Sequence, residues 1–424
     1  MTAVPLPPLA DRDHRFADLP RLPGGLRYAR ARLLLGIAGV GAAVLLAAAA
    51  LALGLPGRLM TADPAQPIAA AVAQVLAALL APTLLLAPLD VLGGTVVRGR
   101  VPLGTWGGRW LRGVTVQFAV WGAAAAVLLA AGRAGAALGG RTGAAAAAVA
   151  AFAVVQGVLL VGRPRLARLV APLRVRAVGE AAPADAAWLA DATRAAGLDP
   201  ARVRLVDAPD PGFTGGWIGV RAPVLWVPAH WHALPREVLV AQLARQRAVA
   251  ALGLHRRGVL GALVWNAAGL GAVLAVVPAA DPTTAPGLVA MVAGMTLWAF
   301  AGALVLPTPS RAAVYVADAA AARQVGAGQV RAAVVALDRW QDDEAERRPV
   351  VEAVFHPVPA RGRRVRRLAE QERPGSYADA DPALPLHQIA RHAQFLAWGA
   401  LSPLARAVHC NVGRPALWVM WPGD

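Results

Sequence analysis

Six apolar runs dominate this 424-residue chain. Each has roughly the 17–25 residues that a helix needs to cross the hydrocarbon core of a bilayer. Hydrophobic residues make up 57% of the sequence and charged residues only 16%, whereas soluble proteins average roughly 45–50% and 25%. The sequence therefore predicts an α-helical polytopic membrane protein with about six spans. The runs cover residues 33–55, 67–92, 114–132, 142–161, 259–280 and 286–306.

Three of these runs leave alternatives open. Residues 114–132 and 142–161 are rich in alanine and glycine and only weakly hydrophobic, so a buried helical hairpin inside a soluble protein is the competing interpretation. Residues 33–55 end in small residues, as a signal peptide does, but this run exceeds the roughly 7–15 apolar residues of a signal-peptide core. A retained first span is therefore favoured over cleavage.

Arginine supplies the whole basic complement of the chain, which has 42 basic residues and a formal net charge of +17. A charge of this size is also typical of nucleic-acid binding. The arginines flank the apolar runs, however, and do not form stripes interleaved with aromatic residues. The lipid bilayer with its anionic headgroups is therefore the predicted partner, and no nucleic acid is expected.

The placement of arginine also predicts an orientation, because cytoplasmic loops of membrane proteins carry an excess of basic residues. Segment 1–32, the 93–113 loop and segment 163–176 are rich in arginine, whereas the intervening connections hold only Arg58, Arg133 and Arg141. An even number of spans, with both termini and the soluble domain in the cytoplasm, fits this pattern. Abundant alanine and arginine are typical of a GC-rich bacterial genome, which indicates the bacterial cytoplasmic (inner) membrane.

The segment 234–250, LPREVLVAQLARQRAVA, has the frame of a zinc-protease helix. Such helices carry His-Glu-x-x-His, which puts two imidazoles on one helix face beside a general-base glutamate. Arg245 and Val249 stand here at the histidine positions, and Gln246 stands at the glutamate position. The segment nevertheless resembles the phrase LPxxELxAVLAHELAHxxxxH of integral-membrane zinc metallopeptidases of the HtpX and CAAX-prenyl-protease type, which are gluzincins.

The resemblance extends from about residue 180 to about residue 370. A predicted helix and two predicted strands, 203–207 and 223–228, precede the segment, and two apolar runs follow it directly, as in HtpX-like proteins. Family members then carry a pattern similar to R-x-x-E-x-x-A-D, whose glutamate is the third zinc ligand. Arg311 and Asp318 match this pattern, and Val314 replaces the glutamate. The later His356-Pro357, together with Arg364–Leu368 (RVRRL), is similar to the closing HPxxxxRIxxL phrase.

The substitutions remove the chemistry that the resemblance implies. A guanidinium has donors only and does not deprotonate in proteins, so Arg245 cannot ligate zinc. Val249 and Val314 have no lone pair to offer, and the amide of Gln246 cannot accept a proton from water. Loss of the general base alone typically costs about 10² to 10⁴ in rate. The sequence therefore predicts a pseudopeptidase that acts as a scaffold, a regulator or a subunit of a membrane complex with protein partners.

Two hypotheses concern what replaces the metal. Asp318 is retained where family members use an acidic residue to support a zinc-bound histidine, and we expect it to pair with Arg245. No catalytic residue and no cofactor is then expected; zinc would bind only if the family site were somehow retained. The alternative is an active metalloendopeptidase with a non-standard metal site, for which His230, His232 and His255 are the candidate ligands.

One further site and the domain limits complete the predictions. In relatives the strand before the metal helix pairs with an extended peptide, so Pro223, Val224, Leu225, Trp226 and Val227 are predicted to form an open edge for a peptide or partner. The predicted regions are a cytoplasmic segment (1–32), four transmembrane helices (33–162), the first part of the metallopeptidase-like α+β domain (163–257), a transmembrane hairpin (258–307), the second part of that domain (308–372) and a tail (373–424). The tail, which contains Trp398, Trp418 and Trp421, lies at the membrane interface or docks on a partner.

Overall fold

A computed structural model describes residues 28–97, 102–170, 173–180, 183–207, 213–341, 345–372 and 385–404. Segment 1–27, most of the tail (373–384 and 405–424) and thus Trp418 and Trp421 lie outside the described residues. Thirteen α-helices and a small sheet make up the described part. The helices are α1 (Tyr28–Ala52), α2 (Leu55–Leu59), α3 (Ile68–Val91), α4 (Leu103–Val170), α5 (Pro183–Ala195), α6 (Arg236–Ala251), α7 (Leu254–Val276), α8 (Ala285–Val305), α9 (Pro307–Val325), α10 (Ala327–Gln341), α11 (Pro349–Phe355), α12 (Arg361–Gln371) and α13 (Ile389–Leu396).

Five of the described helices, α1, α3, α4, α7 and α8, are long and apolar enough to cross a membrane. The 68-residue α4 is not one straight helix, because Gly139 and Gly140 have non-helical dihedral angles. Gly140 has a φ of +58°, which an L side chain rarely adopts. A Cβ added at Gly135 would collide with the carbonyl oxygen of Gly143, so the two arms of α4 return alongside each other. The predicted runs 114–132 and 142–161 are therefore the two arms of one hairpin.

Arginine side chains tie the ends of this bundle together. The Arg133 guanidinium donates to the carbonyl oxygens of Thr283, at 2.9 Å, and Gln66, so the three arginine-poor connections meet at one end. Arg112 donates to the carbonyl oxygen of Leu169, which joins the two arms of α4 at the opposite end. The three arginine-poor connections are thus grouped at one end, as the arginine pattern predicted, whereas most of segment 1–32 lies outside the described residues.

The sheet contains four short strands in the order β1-β2-β4-β3, where β1 is Arg174–Ala177, β2 is Val203–Asp207, β3 is Gly216–Ile218 and β4 is Val224–Pro228. Strands β2 and β4 run parallel, and the outer pairs are antiparallel. Helix α6 packs between this sheet and helices α9 and α10, in an apolar core that includes Leu225, Leu239, Val249 and Ala317. The second part of the α+β unit, after the α7–α8 hairpin, therefore completes the core that the first part begins.

The predicted open edge is wrong. Pro223 precedes strand β4, whereas Val224, Leu225, Trp226 and Val227 lie in it. This strand is internal, since Leu225 is paired with Val203 of β2 on one side and Trp217 of β3 on the other. Gly219, with a φ of +92°, turns the chain so that β3 folds back onto β4 and covers that edge. The outer strands of the sheet are β1 and β3.

The described part of the tail packs inside its own chain. Helix α13 lies against α7, where a Cβ on Gly258 would collide with the carbonyl oxygen of His387. The Asn266 amide of α7 donates to the carbonyl oxygen of Ala393 at 2.9 Å. Trp398 is fully buried next to the second arm of α4. Segment 385–404 is therefore an integral part of the helical bundle, and the two roles predicted for the tail stay predictions.

Candidate functional site

The site begins with the close packing of α6 on α9. Ala313, Ala317 and Ala321 recur along one face of α9 and are fully buried, so the α6 backbone can approach closely. Asp318 lies in the middle of α9 beside this face and is itself buried. Because a buried carboxylate needs compensating charge or hydrogen bonds, the surroundings of Asp318 determine what the site can do.

Two arginines from different helices supply that charge. Arg245 of α6 donates from Nε to Oδ1 of Asp318 at 2.6 Å. Arg364 of α12 donates from Nε to Oδ2 at 2.8 Å and from Nη2 to Oδ1 at 2.9 Å, which is the fork geometry of a strong arginine–carboxylate pair. The side chains are 1%, 3% and 10% exposed for Arg245, Asp318 and Arg364. We call these three residues the Asp318 cluster.

The electrostatics of the cluster keep Asp318 ionised. Burial by itself would raise the pKa of this carboxyl, but the guanidinium groups of Arg364 and Arg245 outweigh that effect and lower the pKa below its ordinary value. A general base for hydrolysis needs a pKa near the operating pH and a lone pair open to water. The Asp318 carboxylate meets neither condition, so it stabilises the structure and does not accept protons at neutral pH.

The predicted Arg245–Asp318 ion pair is confirmed by this geometry, and its second arginine was missed. Arg364 lies eight residues after His356, within the stretch that is similar to the closing family phrase. The similarity of that stretch to the family phrase was the signal that could have pointed to Arg364. The sequence could not assign Arg364 a partner, because its contact with Asp318 joins residues that are 46 positions apart.

The other changed positions lie on the same two helices and are also buried. Val249 packs in the apolar core together with Ala313 and Ala317, and Val314 is 1% exposed. Gln246 is buried as well, and its backbone carbonyl accepts a hydrogen bond from Nε1 of Trp217 at 2.8 Å. The side chains at the positions where the resemblance expects zinc ligands do not fit a zinc ion: one is a guanidinium paired with a carboxylate, and two are packed valines.

A second polar network positions Arg364. The Arg311 guanidinium, at the start of α9, donates to the carbonyl oxygens of Glu352 at 2.8 Å and His356 at 2.9 Å, at the end of α11. The buried Glu352 carboxylate accepts from the Ala360 backbone N–H at 3.0 Å, immediately before α12 begins. These contacts fix the turn between α11 and α12, and thereby the helix that carries Arg364.

The three candidate metal-binding histidines do not form a metal site in the structure. His232 contacts the carbonyl oxygen of Ala229 in its own turn at 2.7 Å. His255 contacts the carbonyl oxygen of Gly219 at 2.9 Å, and its ring lies edge-on to His392. Among the described residues, no group of three His, Cys, Asp or Glu side chains is arranged to hold a metal ion, and this includes His230, His232 and His255.

No protein-family model matches the chain, and no curated protein is found to be similar to it. The fold and the site nevertheless define a class. The chain is a mostly helical protein whose apolar helices indicate a lipid-bilayer environment, and it carries a small α+β unit with a buried Arg–Asp–Arg cluster at its centre.

Proposed function

We propose that this chain is a catalytically inactive, metallopeptidase-like membrane protein that acts as a scaffold, a regulator or a subunit of a membrane complex. The proposal combines the resemblance of residues 180–370 to HtpX-type peptidases with the chemistry of the Asp318 cluster. In that family the equivalent positions hold zinc and a general base. Here a doubly paired carboxylate and packed apolar side chains take their place.

One observation carries the proposal. Arg245 stands at the first histidine position of the family motif, and its guanidinium donates to Asp318 at 2.6 Å inside a core from which water is excluded. A buried cation at this position would repel a zinc ion, and it has no lone pair for coordination. The body of the domain retains its shape because the Asp318 cluster connects α6, α9 and α12, a connection that a metal ion would otherwise contribute.

We further propose that the protein lies in a bacterial inner membrane with both termini and the α+β unit in the cytoplasm. The arginine-poor end of the bundle, where Arg133 ties three connections together, then faces the opposite side. In a variant with Cys410 replaced by serine, a cysteine at the exposed Thr61 would react with a membrane-impermeant maleimide in intact cells. A cysteine at the exposed Arg256 would react only after lysis; the reverse pattern would contradict this orientation.

Two assays on the full-length protein test the proposed function. The first supplies zinc and unfolded polypeptides to the purified protein in native-lipid nanodiscs and measures hydrolysis, which we expect to be absent. The second identifies membrane proteins that cross-link to the intact chain in cells and remain bound during purification, which we expect to be a small, reproducible set. Hydrolysis that a zinc chelator stops would contradict the proposal, and so would a chain that purifies without any partner.

The competing function is an active metalloendopeptidase with a non-standard metal site. Hydrolysis that disappears in the His230→Ala, His232→Ala or His255→Ala variants, but persists in the matched His387→Ala variant, would favour it. His387 suits this control because it is a buried histidine outside the candidate group.

A further inference from the structure

A cavity of about 530 Å³ opens among the apolar helices, well away from the Asp318 cluster. Its walls come from the second half of α1, the short α2, the middle of α3 and the middle of α8, together with Pro403. The volume falls within the roughly 300–1,000 Å³ that is typical of sites for small ligands. Three of the four helices that line it, α1, α3 and α8, are long and apolar enough to cross a membrane, which favours an apolar ligand over a water-soluble one.

The interior of the cavity is apolar. Leucine, alanine, valine, proline and methionine side chains supply most of the lining, and of the polar lining residues Thr296 already donates to the carbonyl oxygen of Val292 at 2.8 Å. The buried lining residues Leu79 and Ala293 offer no hydrogen-bonding side chain. A linear hydrocarbon chain fits this surface, whereas a charged or sugar-like ligand would lose its hydration without compensation.

One end of the cavity is polar. Gln74 of α3 lines it, and the side-chain oxygen of Gln74 is buried with no hydrogen-bond partner among the described residues. Gln74 lies seven residues after Pro67, which is roughly 10 Å along the helix from its start. The apolar wall therefore contains one buried acceptor, near the N-terminal end of α3.

The same end carries a positive charge. Helix α2 lies across the entrance and contributes Pro56 and Leu59 to the lining. Arg58, between these two residues, is exposed, and within the described part of the chain its guanidinium makes no hydrogen bond or ion pair. An exposed arginine at a membrane surface attracts anionic headgroups.

We infer that this cavity binds one acyl chain of an anionic glycerophospholipid, with its phosphate beside Arg58. The apolar wall accounts for the chain and the arginine for the anion. This inference does not depend on the proposed function, because the cavity and the Asp318 cluster share no residue.

A photolabelling experiment tests the inference. The full-length protein is placed in nanodiscs of phosphatidylcholine containing a trace of phosphatidylglycerol with a diazirine on its acyl chain, and labelled peptides are mapped. We expect labelling of α1, α3 and α8 at cavity residues. Ala78→Phe should reduce this labelling at least fivefold because the ring fills the cavity, whereas the matched Ala73→Phe, on the exposed side of α3, should leave it unchanged.

The headgroup is tested by competition. Unlabelled phosphatidylglycerol should displace the probe more effectively than phosphatidylcholine, and Arg58→Gln should reduce this preference about fivefold, the equivalent of roughly 1 kcal/mol for one arginine near a membrane surface. Equal labelling of the Ala78→Phe and Ala73→Phe variants would overturn the inference. So would labelling that appears only after residues 405–424 are deleted, since the cavity would then belong to the chain's own C-terminus.

Discussion

Arg245 Nε and Asp318 Oδ1 lie 2.6 Å apart although the two residues are 73 positions apart in the sequence. Both side chains are almost completely buried, and the apolar hairpin of α7 and α8 lies between them in the chain. The contact therefore joins the two parts of the α+β unit across a hairpin that is long and apolar enough to cross a membrane. Arg364 extends the connection to α12. The stability of the whole unit should depend on these three residues.

Removing the carboxylate should be the most damaging single change. Asp318→Leu leaves the guanidinium groups of Arg245 and Arg364 buried without their counter-charge, and loss of one partner of a buried pair costs about 3–5 kcal/mol. Thermal unfolding in detergent would show the loss as a large fall in Tm. The matched control is Asp191→Leu, because Asp191 pairs with Arg236 at the surface with both side chains 56% exposed, and such pairs contribute about 0–1 kcal/mol. Equal falls in Tm for Asp318→Leu and Asp191→Leu would contradict the conclusion that the stability of the unit depends on the Asp318 cluster.

Arg245→Met should be milder than Asp318→Leu. Arg364 donates to both oxygens of Asp318, so the carboxylate keeps a bidentate partner when Arg245 is lost. One hydrogen bond to a charged group contributes about 1.5–3 kcal/mol, and methionine refills much of the volume. The Tm of Arg245→Met should therefore fall between those of the wild type and Asp318→Leu. If the Tm of Arg245→Met were as low as that of Asp318→Leu, Arg364 by itself would not be enough to stabilise the buried carboxylate.

The cluster also predicts a pH dependence. The folded-state pKa of Asp318 is lowered relative to the unfolded chain, so its contribution is complete above the ordinary aspartate pKa of about 4 and is lost as the pH falls below it. The difference in Tm between the wild type and Asp318→Asn should be constant from pH 7 to about pH 5 and should shrink toward pH 3. A difference that grows on acidification would have the wrong sign for a stabilised carboxylate.

Docking of segment 385–404 depends on the glycine face of α7. A Cβ at Gly258 would collide with the backbone oxygen of His387, and backbone cannot move aside cheaply. Gly258→Ala should therefore displace α13, lower the Tm and make the segment sensitive to limited proteolysis. Gly271 is the matched control, because it lies on the same helix with nothing within 4 Å of an added Cβ. Equal protease resistance in the two variants would show that α13 is not held at Gly258.

Much of the architecture could be predicted from the sequence because the signals are local. The run 67–92 corresponds to α3 (Ile68–Val91), and the alternating VRLVD segment is strand β2 with the predicted limits. The Arg245–Asp318 pair was also predictable, since the resemblance to HtpX-type proteins implies that these two positions adjoin. These successes rest on apolar length, two-residue alternation and a motif frame, all of which are visible in short stretches of sequence.

The remaining features depend on contacts between distant segments. The three-residue strand β3 is too short to give a periodic signal, so the sequence did not reveal that it covers β4. Arg364 is one of five arginines in α12, and nothing local distinguishes the one that turns inward. The fit of α13 against Gly258 depends on the shape of two helices together. Local patterns contain no information about such pairings.

The zinc content of the purified chain tests the central claim most directly. The full-length protein would be purified without chelator, dialysed against buffered zinc in excess, washed, and measured by elemental mass spectrometry alongside a variant that restores the motif (Arg245→His, Gln246→Glu, Val249→His and Val314→Glu). The account predicts zinc far below one ion per wild-type chain and no change in Tm with zinc or chelator. One tightly held zinc per wild-type chain, retained after washing and needed for the wild-type Tm, would contradict it.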